Sequence, residues 1–154
     1  MAGLNKPFLL TPAAKDYLWG GNRLNDDFNL NQPVSPFAEA WVCSTHPDGP
    51  SYVKEYDCTL SELLEKQPEL LGTHAKTLDQ GRMPILVKLI DAKKDLSIQV
   101  HPDDDYARKH EASLGKTEMW YVLDAKKGSE LVHGFKYKVT KDEVKNYCNN
   151  GSLL

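Results

Sequence analysis

The stretch DLSIQVHPDDDYARKHEASLGKTEMWYVL, Asp95–Leu123, holds two runs of alternating side chains on either side of a short polar link. In an extended strand every second side chain faces the same way, so Ser97, Gln99 and His101 share one face and Leu96, Ile98 and Val100 the other. The second run repeats the device, with Lys116, Glu118 and Trp120 alternating against Thr117, Met119 and Tyr121. As neighbours in a small barrel the two runs would turn their polar faces toward its mouth. Gln99, His101 and Glu118 would then supply a mixed nitrogen and oxygen donor set, which suits a borderline ion such as Zn²⁺. Three protein ligands leave coordination open for water or substrate, as a catalytic metal requires. The same alternation also describes strands whose apolar face meets a core and whose polar face meets water, and the spacing alone does not choose between the two.

The rest of the chain bounds the answer. Its 154 residues are enough for one ordinary domain with its own core. Hydrophobic residues make up 40% and charged residues 27%, too apolar for disorder, and no continuous apolar run is long enough for a membrane span. The opening MAGLNKPFLLTP carries only a short apolar patch, far from the core of a secretory signal, so a cytoplasmic protein is expected. A net charge of −3 with interleaved signs offers no basic stripe for nucleic acid, although one or two lysines suffice for a single phosphate. Cys43, Cys58 and Cys148 show no C-x-x-C spacing and read as reduced and structural.

Strand character recurs at Pro7–Leu10, Ala38–Cys43, Tyr52–Val53, Ile85–Ile90, Leu96–His101, Glu118–Leu123 and Leu131–Phe135. Helices are fewer. Thr59 and Glu62 form a capping-box pattern ahead of Leu60, Leu63 and Leu64, and Pro68 ends that helix. A second capping box, Thr140 with Glu143, opens a helix that stops near Gly151, and Pro102–Lys109 reads as a short helix with proline first and aspartates in its first turn. Hairpin-rich strands with a few outside helices predict a sandwich or small barrel. Leu153 and Leu154 read as the start of a further packed element, and the end as a truncation.

Several residues have plainer readings. Lysine in a hairpin loop is most often solvated, and Gly115-Lys116-Thr117 lacks the earlier glycine of a G-x-x-x-x-G-K-T phosphate loop. His46, His74, His110 and His133 have no companion at ligand spacing. His101-Pro102-Asp103-Asp104 reads as a strand-to-helix turn that presents His101 while capping the next element.

At these residues the chain resembles a known family. PILVKLIDAKKDLSIQVHPDDDYA, Pro84–Ala107, looks like the signature region of type I mannose-6-phosphate isomerases, which are cupin-fold, metal-dependent sugar-phosphate isomerases. KDYLWGG at Lys15–Gly21, EAWVCSTHPDGPS at Glu39–Ser51 and GKTEMWYVLDAKKGSELVHGF at Gly115–Phe135 are similar to further family segments, so the resemblance covers nearly the whole chain. It is to the shorter bacterial branch. The resemblance implies that Gln99, His101 and Glu118 are the metal ligands, with zinc the expected ion. It implies that Lys116 binds substrate or moves protons, that Ser97 lies near the sugar phosphate, that Glu39 and Lys88 line the same cavity, and that Trp19 stands near its mouth.

Two departures accompany it. Many members carry a His-Lys-Pro-Glu pattern where this chain has Gly115-Lys116-Thr117-Glu118. The family's further metal-binding histidine and a catalytic arginine lie downstream of the helix that follows Thr140. The expected fold is therefore mainly β with a few short helices, a cupin (jelly-roll-like) barrel incomplete at its C-terminal end. Residues 1–154 are read as a single cupin-type metal-binding domain, the N-terminal part of the isomerase. The implied activity is interconversion of mannose 6-phosphate and fructose 6-phosphate, with full activity not expected of this chain alone. The alternative is a non-catalytic cupin module that binds sugar phosphate or regulates. Expected partners are a small sugar phosphate and either a second copy of the chain or the missing C-terminal portion, with no nucleic acid and no membrane.

Overall fold

The strand at the centre of the fold, EAWVC, alternates a charged or aromatic side chain with a small apolar one, and this decides which way its sheet faces. A computed structural model describes residues 7–74 and 83–152, which fall into two compact units divided after Leu96. In the first unit β1 (Ala13–Lys15), β2 (Glu39–Cys43) and β5 (Val87–Ile90) form an antiparallel sheet in the order β1-β2-β5. Lys15 lies opposite Glu39, Ala13 opposite Trp41, and Trp41 opposite Lys88. Directly opposed residues share a face. One face thus carries Ala14, Ala40, Val42 and Leu89, which pack with Leu24, Phe37, Leu30 and Val34. The other carries Lys15, Glu39, Trp41 and Lys88.

Phe37 and Ala38, fully buried just before β2, and Leu24 on the short helix α1 (Arg23–Asp26) close the apolar side. Beyond β2 the chain is tied back on itself: Ser51 Oγ donates to the Trp41 carbonyl at 2.8 Å and accepts from Ser44 N–H at 3.0 Å. A second, two-stranded sheet joins β3 (Tyr52–Val53) to β4 (Cys58–Thr59). It leads into α2 (Leu60–Lys66), whose Thr59 and Glu62 form the reciprocal capping box that the sequence predicts. Leu60, Leu63 and Leu64 fall on one side of that helix and are buried with Val53 and Cys58. Each such burial is favourable by roughly 1.5–3 kcal/mol.

In the second unit α3 (Asp104–His110) is capped by Asp103, whose side chain accepts from Tyr106 N–H at 2.8 Å. Pro102 therefore precedes the cap and is not the first helical residue. Arg108, Lys109 and His110 fill its last turn, where cations complement the helix dipole. The helix α4 (Lys141–Asn150) starts at the Thr140–Glu143 capping box and ends at Gly151, whose φ of 71° is the left-handed conformation that glycine adopts without strain.

Four predicted strands do not form. Pro7–Leu10 carries no strand; Phe8 and Leu10 pack on the α2 cluster, and pairing starts only at Thr11, which bridges Tyr52. Leu96–His101, Glu118–Leu123 and Leu131–Phe135 also carry no β pairing. Alternation suits a two-faced surface, but a strand exists only where another edge accepts its N–H and C=O groups. Among the described residues these segments have no such edge, and Val100, Met119 and Tyr121 stand 94%, 89% and 82% exposed. What the described residues hold is two small antiparallel sheets and a few short helices. Leu153 and Leu154 lie outside them. The three cysteines are free thiols, and no helix among the described residues is long and apolar enough to cross a membrane.

Candidate active site

Three of the predicted site residues meet in the second unit. Lys116 Nζ lies 2.8 Å from Glu118 Oε1 and 3.2 Å from His101 Nε2, and His101 Nε2 lies 3.2 Å from Glu118 Oε2. Each side of this triangle is within hydrogen-bond reach. Burial pushes the Glu118 carboxyl up, but the hydrogen bond and charge of Lys116, the charge of His101 and a hydrogen bond from Trp120 outweigh it. The net result holds Glu118 below its ordinary value.

Lys116 is brought to His101 by the glycine before it. Gly115 N–H donates to Asp104 Oδ1 at 2.9 Å, and Lys116 N–H donates to the Pro102 carbonyl at 3.1 Å, so this turn is fastened to the start of α3. A Cβ at residue 115 would stand 2.5 Å from the Asp103 carbonyl carbon and the Asp104 nitrogen. Only glycine allows that approach. Gln99 turns to Ser97 instead, donating from Nε2 to Oγ at 3.0 Å.

The first unit holds the other three. Glu39 is buried, Lys88 Nζ lies 3.2 Å from its Oε1 and 3.3 Å from its Oε2, and Trp41 Nε1–H donates to Oε2 at 2.7 Å. Lys15 Nζ sits 4.3 Å from the Trp41 ring centroid and Lys88 Nζ 6.0 Å, both within cation–π range. Trp19 stacks on Tyr17 with ring centroids 5.6 Å apart. Its carbonyl accepts from the Lys93 and Lys94 amides, each at 3.0 Å, which ties it to the chain after β5. Burial, then the charges of Glu39, Asp48 and Asp16, push the Tyr17 hydroxyl up.

Residues 8–143 match the model of the phosphomannose isomerase type I catalytic domain. The chain belongs to the type I phosphomannose isomerase family. The probable mannose-6-phosphate isomerase GmuF of Bacillus subtilis is 42% identical over 153 residues, covering 96% of this chain and 47% of that protein. The mannose-6-phosphate isomerase of Streptococcus mutans is 39% identical, covering 95% and 46%. The crystal structure of mannose 6-phosphate isomerase from Bacillus subtilis superposes with a TM-score of 0.85 at 41% identity, covering 96% of this chain and 46% of that one. The chain thus spans about half the length of the relatives it matches.

The sequence reading missed Trp41 and Lys15, which stand beside Glu39 and Lys88. A signal existed: Glu39 and Trp41 are two apart in a strand and so share a face. Which lysines meet them depends on pairing with β1 and β5, which is not local in sequence. Among the described residues no three of His, Cys, Asp and Glu cluster as a metal site. The amide oxygen of Gln99 falls outside that set of donors.

Proposed function

We propose that this chain carries the N-terminal part of a metal-dependent aldose–ketose isomerase site that interconverts mannose 6-phosphate and fructose 6-phosphate. The observation that carries this is the contact of Lys116 with both His101 and Glu118, in a chain about 40% identical to proteins named mannose-6-phosphate isomerase. Residues 1–154 are taken as one cupin-type metal-binding domain whose barrel is completed by further strands. A second copy of the chain, or a C-terminal portion such as the relatives possess, is the proposed source. The exposed apolar side chains of Val100, Met119 and Tyr121 support this.

Gln99, His101 and Glu118 would hold the metal, taken to be zinc. Two observations support the fit. Two donors each about 2.0–2.1 Å from one tetrahedral Zn²⁺ stand about 3.3 Å apart. His101 Nε2 and Glu118 Oε2 are separated by 3.2 Å, while Lys116 engages the other carboxylate oxygen. Gln99 commits its Nε2 to Ser97, leaving Oε1, the atom a metal takes. The ion would act as a Lewis acid, polarising sugar oxygens and stabilising developing negative charge.

Lys116, once its ammonium has given a proton to water, takes the proton from C2. The C2–H electrons form the C1–C2 double bond as the aldehyde oxygen gains a proton from water, giving an enediol. The O2 hydroxyl then loses its proton to water as the C2 carbonyl forms, and the double-bond electrons take back at C1 the proton that Lys116 holds. Ser97, Lys88, Glu39 and Trp19 are assigned to substrate, with Ser97 and Lys88 on anionic or hydroxyl oxygens and Trp19 supplying an aromatic surface for the sugar.

The test is a coupled isomerisation assay on this chain, before and after chelation and again after adding zinc, with Lys116→Met alongside. Zinc-restored turnover that Lys116→Met abolishes is expected if the domain assembles a working site. Turnover indifferent to chelator would remove the metal role, and normal turnover by Lys116→Met would remove the lysine. No turnover from folded, zinc-loaded chain would assign the activity to residues outside it.

A further inference from the structure

The polar face of the β1-β2-β5 sheet contains a residue to which the reading above gives no role. Trp41 is nearly buried at 9% exposure, and yet its indole N–H is not spent on the backbone. It donates to Glu39 Oε2 at 2.7 Å, shorter than either contact of that carboxylate with Lys88. The strand register accounts for the arrangement. Glu39 and Trp41 are two apart in β2, and Trp41 lies directly opposite Lys88 in β5. The aromatic ring thus lies beside the lysine, and its polar edge grips the carboxylate that the lysine pairs with. On the other flank, Lys15 Nζ lies over the ring while donating to the Asp48 carbonyl. Gly49 completes the seat, because a Cβ there would come within 2.9 Å of the indole.

We propose that Trp41 is a positioning residue: through its hydrogen bond to Glu39 it fixes the Glu39–Lys88 pair in the geometry that recognises the oxygens of an anionic sugar. This rests on the assignment of Glu39 and Lys88 to substrate. A carboxylate as buried as Glu39 must keep both its acceptor oxygens hydrogen-bonded. With the indole N–H in place, Oε2 is satisfied and Lys88 is shared between both oxygens, leaving ammonium protons for a ligand. Without it, Oε2 must be satisfied by Lys88 alone or by water entering the site. Either change moves the ammonium from its place over the sheet.

The test has two readouts. The first is the rate at which Lys88 is acetylated in the full chain, measured by peptide mapping with exposed Lys54 and Lys93 as internal references. The second is the affinity for mannose 6-phosphate by calorimetry. Trp41→Phe, which keeps a ring and removes the N–H, is expected to change Lys88 reactivity relative to the references and weaken affinity, each by about tenfold, as for loss of one hydrogen bond to a charged group. Val53→Ala, in the separate α2 cluster, destabilises without touching this site and should change neither. Altered Lys88 reactivity in Trp41→Phe with no binding by the parent chain would uphold the positioning role and sink the substrate assignment. Binding by the parent with Lys88 reactivity and affinity unchanged in Trp41→Phe would overturn the positioning role alone. Should Trp41→Phe not fold, Glu39→Gln replaces it: the Trp41 indole N–H resonance must then move, and an unmoved resonance overturns the proposal.

Discussion

Replacing Gly115 by alanine tests the geometry that delivers Lys116. The added Cβ would lie 2.5 Å from Asp103 C and Asp104 N and 2.9 Å from Pro102 O, where ordinary contact starts at 3.4 Å. The overlap is therefore 3.4 − 2.5 = 0.9 Å, and all three atoms are backbone, which cannot swing aside as a side chain can. Relieving it by retreat of the turn would stretch the Gly115 N–H bond to Asp104 Oδ1 from 2.9 Å and the Lys116 N–H bond to Pro102 O from 3.1 Å beyond useful length. Two hydrogen bonds at about 1 kcal/mol each, plus about 1 kcal/mol or more of residual overpacking, give about 3 kcal/mol. Amide exchange reads this directly: protection of the residue 116 amide should fall by about a hundredfold, and that of the α3 amides by less. The Lys116 ammonium should also leave His101, moving the His101 ring resonances. Protection and ring shifts like those of the parent chain would mean that the turn is not held by close approach, and the account of Gly115 would be wrong.

Leu63→Ala removes a fully packed side chain from the α2 cluster and should cost about 2–5 kcal/mol in urea unfolding; a loss under 1 kcal/mol would show that the cluster collapses to fill the space. The Glu62 carboxyl is held below its ordinary value by hydrogen bonds from the Thr59 backbone and side chain. Its contribution to the α2 cap is therefore complete above the ordinary carboxyl range and is lost as pH falls through the lower folded value. The Thr59 amide resonance should accordingly titrate below that range in acid, and a midpoint at or above it refutes the cap's charge dependence. Glu118→Gln should weaken zinc binding by at least tenfold in a competition titration, since it removes the only anionic donor proposed, and unchanged affinity would exclude Glu118 as a ligand.

What was legible in the sequence was what is settled within one turn of chain. Thr59 with Glu62, Thr140 with Glu143, and Gly151 announce helix ends because cap and partner are three residues apart and their hydrogen bonds need nothing from elsewhere. The strands expected at Ala38–Cys43 and Ile85–Ile90 form over Glu39–Cys43 and Val87–Ile90, since their apolar alternates have Phe37 and Leu24 to cover them. The runs Leu96–His101 and Glu118–Leu123 have the same alternation but no edge to pair with among the described residues, so their pattern states a preference that nothing there fulfils. Alternation reports what a segment could bury; pairing depends on what else is present.

The site divides along the same line. Lys116 and Glu118, two apart, were assigned to one face from local spacing, and their side chains do touch. The need for glycine at Gly115 has a steric reason that only the folded turn exposes, since the contacts that exclude a Cβ come from Pro102–Asp104, more than ten residues away. The Trp41 seat is further from local inference still. Pairing of β2 with β5 passes through an irregularity between Trp41 and Cys43, and a slip of one residue would carry Lys88 to the apolar face and put Leu89 opposite the indole. The burial of Leu89 against Phe37 and Ala40 opposes that slip, so the apolar side of the sheet chooses which lysine reaches Glu39 on its polar side.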